Sequence, residues 1–293
     1  MNDENKRKEI TYETKHTTFI KKRKIKWKNI IILIIGLISL TTLIYSSLNL
    51  FLWQDENKEI KKQLEVIEEV VEVEIIEDNT NTEIIEQPKE IEKSNPYWDY
   101  IKMDLINVDF TELKKINSDT VGWIQVNGTN INYPFVQTKN NDYYLTRSFD
   151  KSYNKAGWVF LDYRNNKDLS NKNNIIYAHS RLNNTMFGTL KKTLESKWQN
   201  NTNNHIVKIS TETENSLWQV FSIYHIEETS DYIKTDFNNN EEFLNLTTKL
   251  INRSVYNFNT EINENDKILT LSTCYGKTER MVLHAKLIKR EIK

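Results

Sequence analysis

Twenty-four consecutive residues, Ile30 to Trp53, carry no charge. A helix needs about 20 apolar residues to cross the hydrocarbon core of a bilayer, so the run is long enough to span one. A secretory signal core is shorter, roughly 7–15 residues, and ends in a small-residue A-x-A cleavage pattern. No such pattern follows here, which makes the run an uncleaved anchor. Ten Lys and Arg stand against four acids between Met1 and Asn29. Basic flanks stay in the cytoplasm, so the chain after Trp53 is expected outside the cell. Tyr45 and Trp53 suit the outer interface. A buried core helix is the competing reading, but this run is apolar around its whole circumference.

The rest of the chain divides by composition. Residues 54–96 are rich in Glu and Lys, with Ile60, Leu64, Ile67 and Val71 at helical spacing, and they decay into Asp78-Asn79-Thr80-Asn81-Thr82 before Pro88 and Pro96. The pattern predicts a charged stalk, helical at first and then loose, acting as a solvated spacer. The heptads do not persist long enough for a coiled coil. The expected organisation is therefore a basic cytoplasmic tail at 1–29, a single-pass membrane anchor at 30–53 in contact with the lipid bilayer, a stalk at 54–96 and an extracellular globular domain at 97–293.

In the globular part, Tyr97, Ile101, Leu105, Phe110, Leu113 and Ile116 predict one or two short helices. Val121 to Val126 predicts a strand, Asn127-Gly128 a hairpin turn and Asn130 to Val136 the partner strand. Further strands are expected at Gly157–Leu161, Asn174–Ala178, Ile206–Ile209 and Leu217–Ile226, and a helix at Glu241–Asn252. Many short strands with few helices make the domain mainly β, a barrel or a sandwich. Near-neutral charge, −1 overall, gives no sign of nucleic-acid binding. No His, Asp or Cys group has metal-ligand spacing, and no cofactor or metal is expected.

Cys274 is the one cysteine in the chain. In an exported domain it has no internal disulfide partner, and a free thiol there is either a small buried hydrophobe or a reactive group. Its setting favours reactivity. Ile268 to Thr273 reads as a strand, Tyr275 to Glu279 as a tight turn, and Arg280 to Leu287 as a second strand of period two. A nucleophilic thiolate needs a nearby base, normally His. His16 lies on the cytoplasmic side, and His205, His225 and His284 begin or sit within predicted strands. His179 ends the apolar strand Ile175 to Ala178 and opens a polar loop, where a side chain can face a cleft. His284 is its rival, since it shares a face with Arg280. Arg280 is either a surface cation of little energetic value or a fixed donor to an oxyanion.

Taken together, Thr270-Leu271-Ser272-Thr273-Cys274 with Arg280 beyond the turn, and Tyr177-Ala178-His179 upstream, resemble the sortases, the cysteine transpeptidases of Gram-positive surfaces. Gly122-Trp123-Ile124, Met186-Phe187-Gly188-Thr189-Leu190 and Tyr232-Ile233-Lys234-Thr235-Asp236-Phe237 are similar to class B members, as is the helix before the cysteine strand. Two details depart from the family: Ala178 stands where glycine is common, and the turn from Cys274 to Arg280 is short. The resemblance covers roughly Tyr97 to the C-terminus. It implies a closed eight-stranded β-barrel with peripheral helices. It also implies that Cys274 attacks a peptide carbonyl within a C-terminal sorting motif of a surface protein, of Asn-Pro-x-Thr type or related to Leu-Pro-x-Thr-Gly. The thioacyl enzyme then passes its cargo to a peptidoglycan amine. His179 would serve as acid and base, and Arg280 would hold the oxyanion. Ser272 and Thr273 either line the substrate groove or pack the strand. The alternatives are a pilin-polymerising or hydrolytic enzyme and, from another class, a non-catalytic membrane-tethered binding domain with Cys274 buried.

Overall fold

The computed structural model describes residues 26–76, 82–85 and 96–293. The expected basic tail up to residue 25, and stretches 77–81 and 86–95 of the expected stalk, lie outside the described residues. The chain forms two compact units, residues 1–52 and residues 53–293. The first is described from its helix alone. Helix α1 (Trp27–Val70) begins there, and every residue from Trp27 to Leu52 is exposed. This part of α1 is long and apolar enough to cross a membrane.

In the second unit, α1 runs on to Val70 and is followed by β1 (Val73–Ile76), β2 (Thr82–Ile84), α2 (Tyr97–Tyr100), β3 (Leu105–Val108) and α3 (Thr111–Ile116). Then come β4 (Thr120–Val126), β5 (Asn132–Val136), β6 (Phe160–Leu161), β7 (Asn173–Tyr177), α4 (Ser196–Gln199), β8 (Ile206–Thr211) and β9 (Glu214–Glu227). Helix α5 (Asn240–Arg253), β10 (Ile268–Tyr275) and β11 (Glu279–Ile292) complete the chain. The strands hydrogen-bond in the order β10-β7-β6-β5-β4-β8-β9-β11, and β11 pairs back onto β10. That closes an eight-stranded barrel and removes its open edges. Strand β2 adds to the far end of β11, and β1 pairs with β3.

The strands alternate as a barrel requires. Inward residues such as Leu269, Leu271, Met281, Leu283, Trp218 and Val220 belong to one buried cluster. Outward residues of β9, β10 and β11 are covered by α5, whose Phe243 and Leu250 pack with Phe221, Tyr224, Tyr232 and Val282. Asn239 caps α5, its side chain accepting from the Glu242 amide at 2.9 Å, and Glu241 and Glu242 in the first turn suit the helix dipole. Bulges after His284 and near Leu287 let the long β11 coil against β9.

Four sequence expectations are altered. Residues 54–70 are not a solvated spacer: they continue α1, and Ile60 and Ile67 are 1% and 2% exposed within the barrel's own core cluster. The helical spacing at Ile60, Leu64 and Ile67 is an apolar stripe that stabilises the docked helix, since each fully buried aliphatic side chain contributes about 1.5–3 kcal/mol. Leu105 opens a strand rather than continuing a helix, because the short run Leu105 to Val108 finds β1 as a partner; periodicity alone does not separate the two for so short a segment. Gly157 lies outside β6, which is only Phe160–Leu161. In the Asn127-Gly128 turn only Gly128 takes positive φ, at 72°, and the partner strand starts at Asn132 rather than at Asn130.

Candidate active site

Strand β10 carries Cys274 between two neighbours. On one side it is antiparallel to β11, with Cys274 directly opposite Arg280. Residues opposite each other on such a pair point to the same face. On the other side β10 is parallel to β7, with Ser272 level with Tyr177. Two residues further along each chain, Cys274 and His179 come level just past the end of that pairing. The register therefore places the residues that bear the thiol, the imidazole and the guanidinium at the same end of three neighbouring strands, on one rim of the barrel. Cys274 is exposed there, not packed in the core.

Thr273 ties the two strand ends together. Its hydroxyl donates to the carbonyl of Ala178 at 2.7 Å, linking the residue before the cysteine to the residue before the histidine. His179 has its own seat. Its Nε2 lies 2.8 Å from the Leu145 carbonyl, which only accepts, so Nε2 carries the proton and Nδ1 is left as the basic nitrogen. The ring lies against Gly157, which has φ of 63°; a Cβ there would come within 2.9 Å of the imidazole Cδ2 and 2.6 Å of the Tyr144 carbonyl. Glycine at 157 thus answers to both a left-handed backbone and close contact with His179.

Arg280 is half-buried. Its Nη2 donates to the Glu228 carboxylate, just past β9, and Nη1 lies 3.3 Å from the Glu279 carbonyl. The Glu228 side chain is 68% exposed, so the pair is weak and leaves the guanidinium open to exchange with another acceptor. The intervening turn is braced by His225, which donates from Nδ1 to Glu279 at 2.9 Å and stacks on Tyr275 with centroids 4.8 Å apart.

The other sequence candidates sort by burial. Ser272 is 3% exposed and shares a 2.9 Å hydrogen bond with the Tyr232 hydroxyl; Thr273 is 4% exposed and engaged with Ala178. Both hydroxyls are buried and engaged inside the protein. His284 is fully buried, and that desolvation, with Arg253 nearby, pushes its pKa down to about 3. Its Nε2 accepts from Tyr224 and its Nδ1 bonds Thr270, which in turn donates to Asn173. A neutral histidine so enclosed holds strands together. His205 is likewise buried, between the Tyr100 hydroxyl and the Gln199 carbonyl. Sequence reading missed the Thr273–Ala178 tie, the Leu145 and Gly157 seat, and Glu228. Of these only Gly157 left a signal, as a glycine in an apolar run.

A family model described as a sortase domain matches residues 124–288. The chain is 36% identical to sortase B of Staphylococcus aureus over 188 residues, which is 63% of this chain and 76% of that protein. Among solved structures it is similar to a Staphylococcus aureus sortase B–substrate complex, with 36% identity and a TM-score of 0.58 over 61% of this chain and 84% of that one. It is similar to a sortase B complexed with triglycine at the same identity and TM-score, over 61% of this chain and 85% of that one.

Proposed function

Because the chain belongs to the sortase family and is a class B-like cysteine transpeptidase, we propose that Cys274, His179 and Arg280 carry its reaction. The Cys274 thiolate attacks the carbonyl of a peptide bond in a surface protein's C-terminal sorting motif. The carbonyl π electrons move to oxygen, and the Arg280 guanidinium, released from Glu228, donates to that oxyanion. As the C–N bond breaks, protonated His179 gives its proton to the departing amine, leaving a thioester on Cys274. An incoming amine, supplied by cell-wall peptidoglycan, loses a proton to His179 and attacks the thioester. The new amide leaves and the thiolate is restored.

The observation that carries this reading is the level placement of an exposed Cys274 with Arg280 on one neighbouring strand and His179 past the end of the other. The same exposure argues against a binding domain with a packed cysteine. The solved relative complexed with triglycine supports an amine acceptor. The apolar, exposed helix at 27–52 supports anchoring in the bilayer, and the basic residues before it support a cytoplasmic N-terminus with residues 53–293 on the outer side.

The test is turnover of sorting-motif peptides by the full chain in detergent, with triglycine as acceptor. Wild type should cleave at least one Asn-Pro-x-Thr or Leu-Pro-x-Thr-Gly peptide and ligate triglycine. Cys274→Ala, His179→Ala and Arg280→Ala should each lose at least about 100-fold in kcat/KM, the scale of one lost proton-transfer or oxyanion group. Full activity in any of the three removes that residue from the mechanism, and cleavage without ligation makes the enzyme a hydrolase.

A further inference from the structure

The part of α1 expected to be a spacer lies against the loops that seat His179. Asn57 Oδ1 accepts two hydrogen bonds, from Arg181 Nη2 at 2.7 Å and from Asn183 Nδ2 at 3.0 Å. Both donors belong to the loop that His179 opens. On the opposite side of the imidazole, the segment from Leu145 to Gly157 supplies its carbonyl acceptor and its glycine contact. Helix α1 holds that segment too: the Glu56 carbonyl accepts from Asn154 Nδ2 at 3.1 Å. Ile60 and Ile67, on the same helix, are buried in the barrel core and fix where Asn57 stands.

The histidine loop needs such support. Asn184 and Met186 both take left-handed φ, 64° and 54°, which costs energy for residues other than glycine. The loop turns so tightly that a Cβ on Gly188 would sit 2.3 Å from the Arg181 carbonyl. The Arg181 side chain is only 11% exposed, and its guanidinium has Asn57 as its hydrogen-bonded acceptor, with Glu56 at 3.9 Å. Without Asn57 that buried cation loses its hydrogen-bonded acceptor and keeps Glu56 at 3.9 Å, beyond hydrogen-bond reach, so its side chain or loop must shift to regain a bond.

We infer that the 53–70 half of α1 is a working part of the active site, and that Asn57 is a positioning residue for His179. It fixes the loop beyond the imidazole through Arg181 and Asn183, while its helix fixes the segment on which the imidazole rests. The inference rests on His179 being the acid–base group.

The experiment uses the full chain in detergent with a cleavable sorting-motif peptide, comparing wild type, Asn57→Ala, Asn57→Asp, Leu217→Ala and His179→Ala. Readouts are kcat and KM separately, thermal midpoint, and hydrogen exchange of amides 180–188. Misplacing a catalytic group by about 1 Å costs up to roughly 100-fold, so a partial slip should lower kcat about tenfold in Asn57→Ala, with KM within twofold and faster exchange in the loop. Asn57→Asp keeps the accepting oxygen and should stay within about threefold of wild type. Leu217→Ala, in the separate apolar cluster at the far end of β9, lowers the thermal midpoint but should keep kcat within twofold below its melting range, which separates positioning from general destabilisation. The inference is overturned if Asn57→Ala keeps wild-type kcat or loop exchange, if Asn57→Asp falls as far as Asn57→Ala, if KM moves in place of kcat, or if Leu217→Ala loses as much kcat. An active His179→Ala refutes the acid–base reading itself, and the loop-exchange result then stands apart from it.

Discussion

Thr273→Val tests how the fold sets the distance between nucleophile and base. Valine has the shape of threonine but lacks the hydroxyl that donates to the Ala178 carbonyl at 2.7 Å. Thr273 is 4% exposed and Ala178 6%, so water does not readily replace the lost donor. Leaving a buried carbonyl unsatisfied costs about 1–3 kcal/mol. In a unit of the size of residues 53–293, each kcal/mol lowers the thermal midpoint by about 2–4 °C, so a fall of roughly 2–12 °C is expected. The kinetic effect should be the larger one. The bond ties the end of β10 to the end of β7, and a slip of part of 1 Å between Cys274 and His179 should cost about tenfold in kcat, given roughly 100-fold for a full ångström. Thr273→Ser keeps the donor and should recover most of the loss. The assay is steady-state cleavage of a sorting-motif peptide beside a thermal melt. A Thr273→Val enzyme with kcat within twofold of wild type would refute the reasoning. A change confined to KM would return Thr273 to the substrate groove.

Other perturbations give separate checks. Ile67→Ala deletes buried atoms where α1 enters the core and should destabilise residues 53–293 by about 2–4 kcal/mol, measured by chemical denaturation; no loss would mean that the helix is detached in solution. Glu228→Gln should change kcat/KM by less than about fivefold, because an exposed pair is worth under about 1 kcal/mol; a collapse in activity would show that Glu228 does more than occupy Arg280. His284 is neutral when folded, with a pKa near 3, while the unfolded chain takes up its proton near 6.5. Protonation therefore favours unfolding as pH falls, and stability should drop by about 2 kcal/mol between pH 6.5 and 4.5. Buried His205, also shifted down by desolvation, adds in the same direction. His284→Phe should flatten that slope in denaturation curves taken across the window; an unchanged slope would contradict the assignment.

Much of the candidate site was legible because it is local. Cys274 and Arg280 sit on two strands joined by a short turn, so period-two patterning alone placed them together. Position at a strand end separated His179 from His284, and the full burial of His284 gives that difference a physical basis. What sequence could not supply was long-range pairing. The parallel contact of β10 with β7 joins residues about 95 apart, and a carbonyl acceptor such as that of Ala178 or Leu145 has no side-chain signature. The stripe at Ile60, Leu64 and Ile67 was visible, but periodicity reports that a helix has an apolar face, not what that face packs against. Among so many Glu and Lys the stripe read as the weak seam of a stalk, whereas it docks on the barrel.

The most direct measurement is the intact mass of the full chain trapped during turnover of a panel of sorting-motif peptides. A thioacyl mechanism at Cys274 predicts an added mass equal to the peptide's N-terminal fragment, mapped to Cys274, removed by hydroxylamine and absent in Cys274→Ala. An unmodified mass throughout a panel that is nevertheless cleaved, or the same adduct on Cys274→Ala, would contradict it.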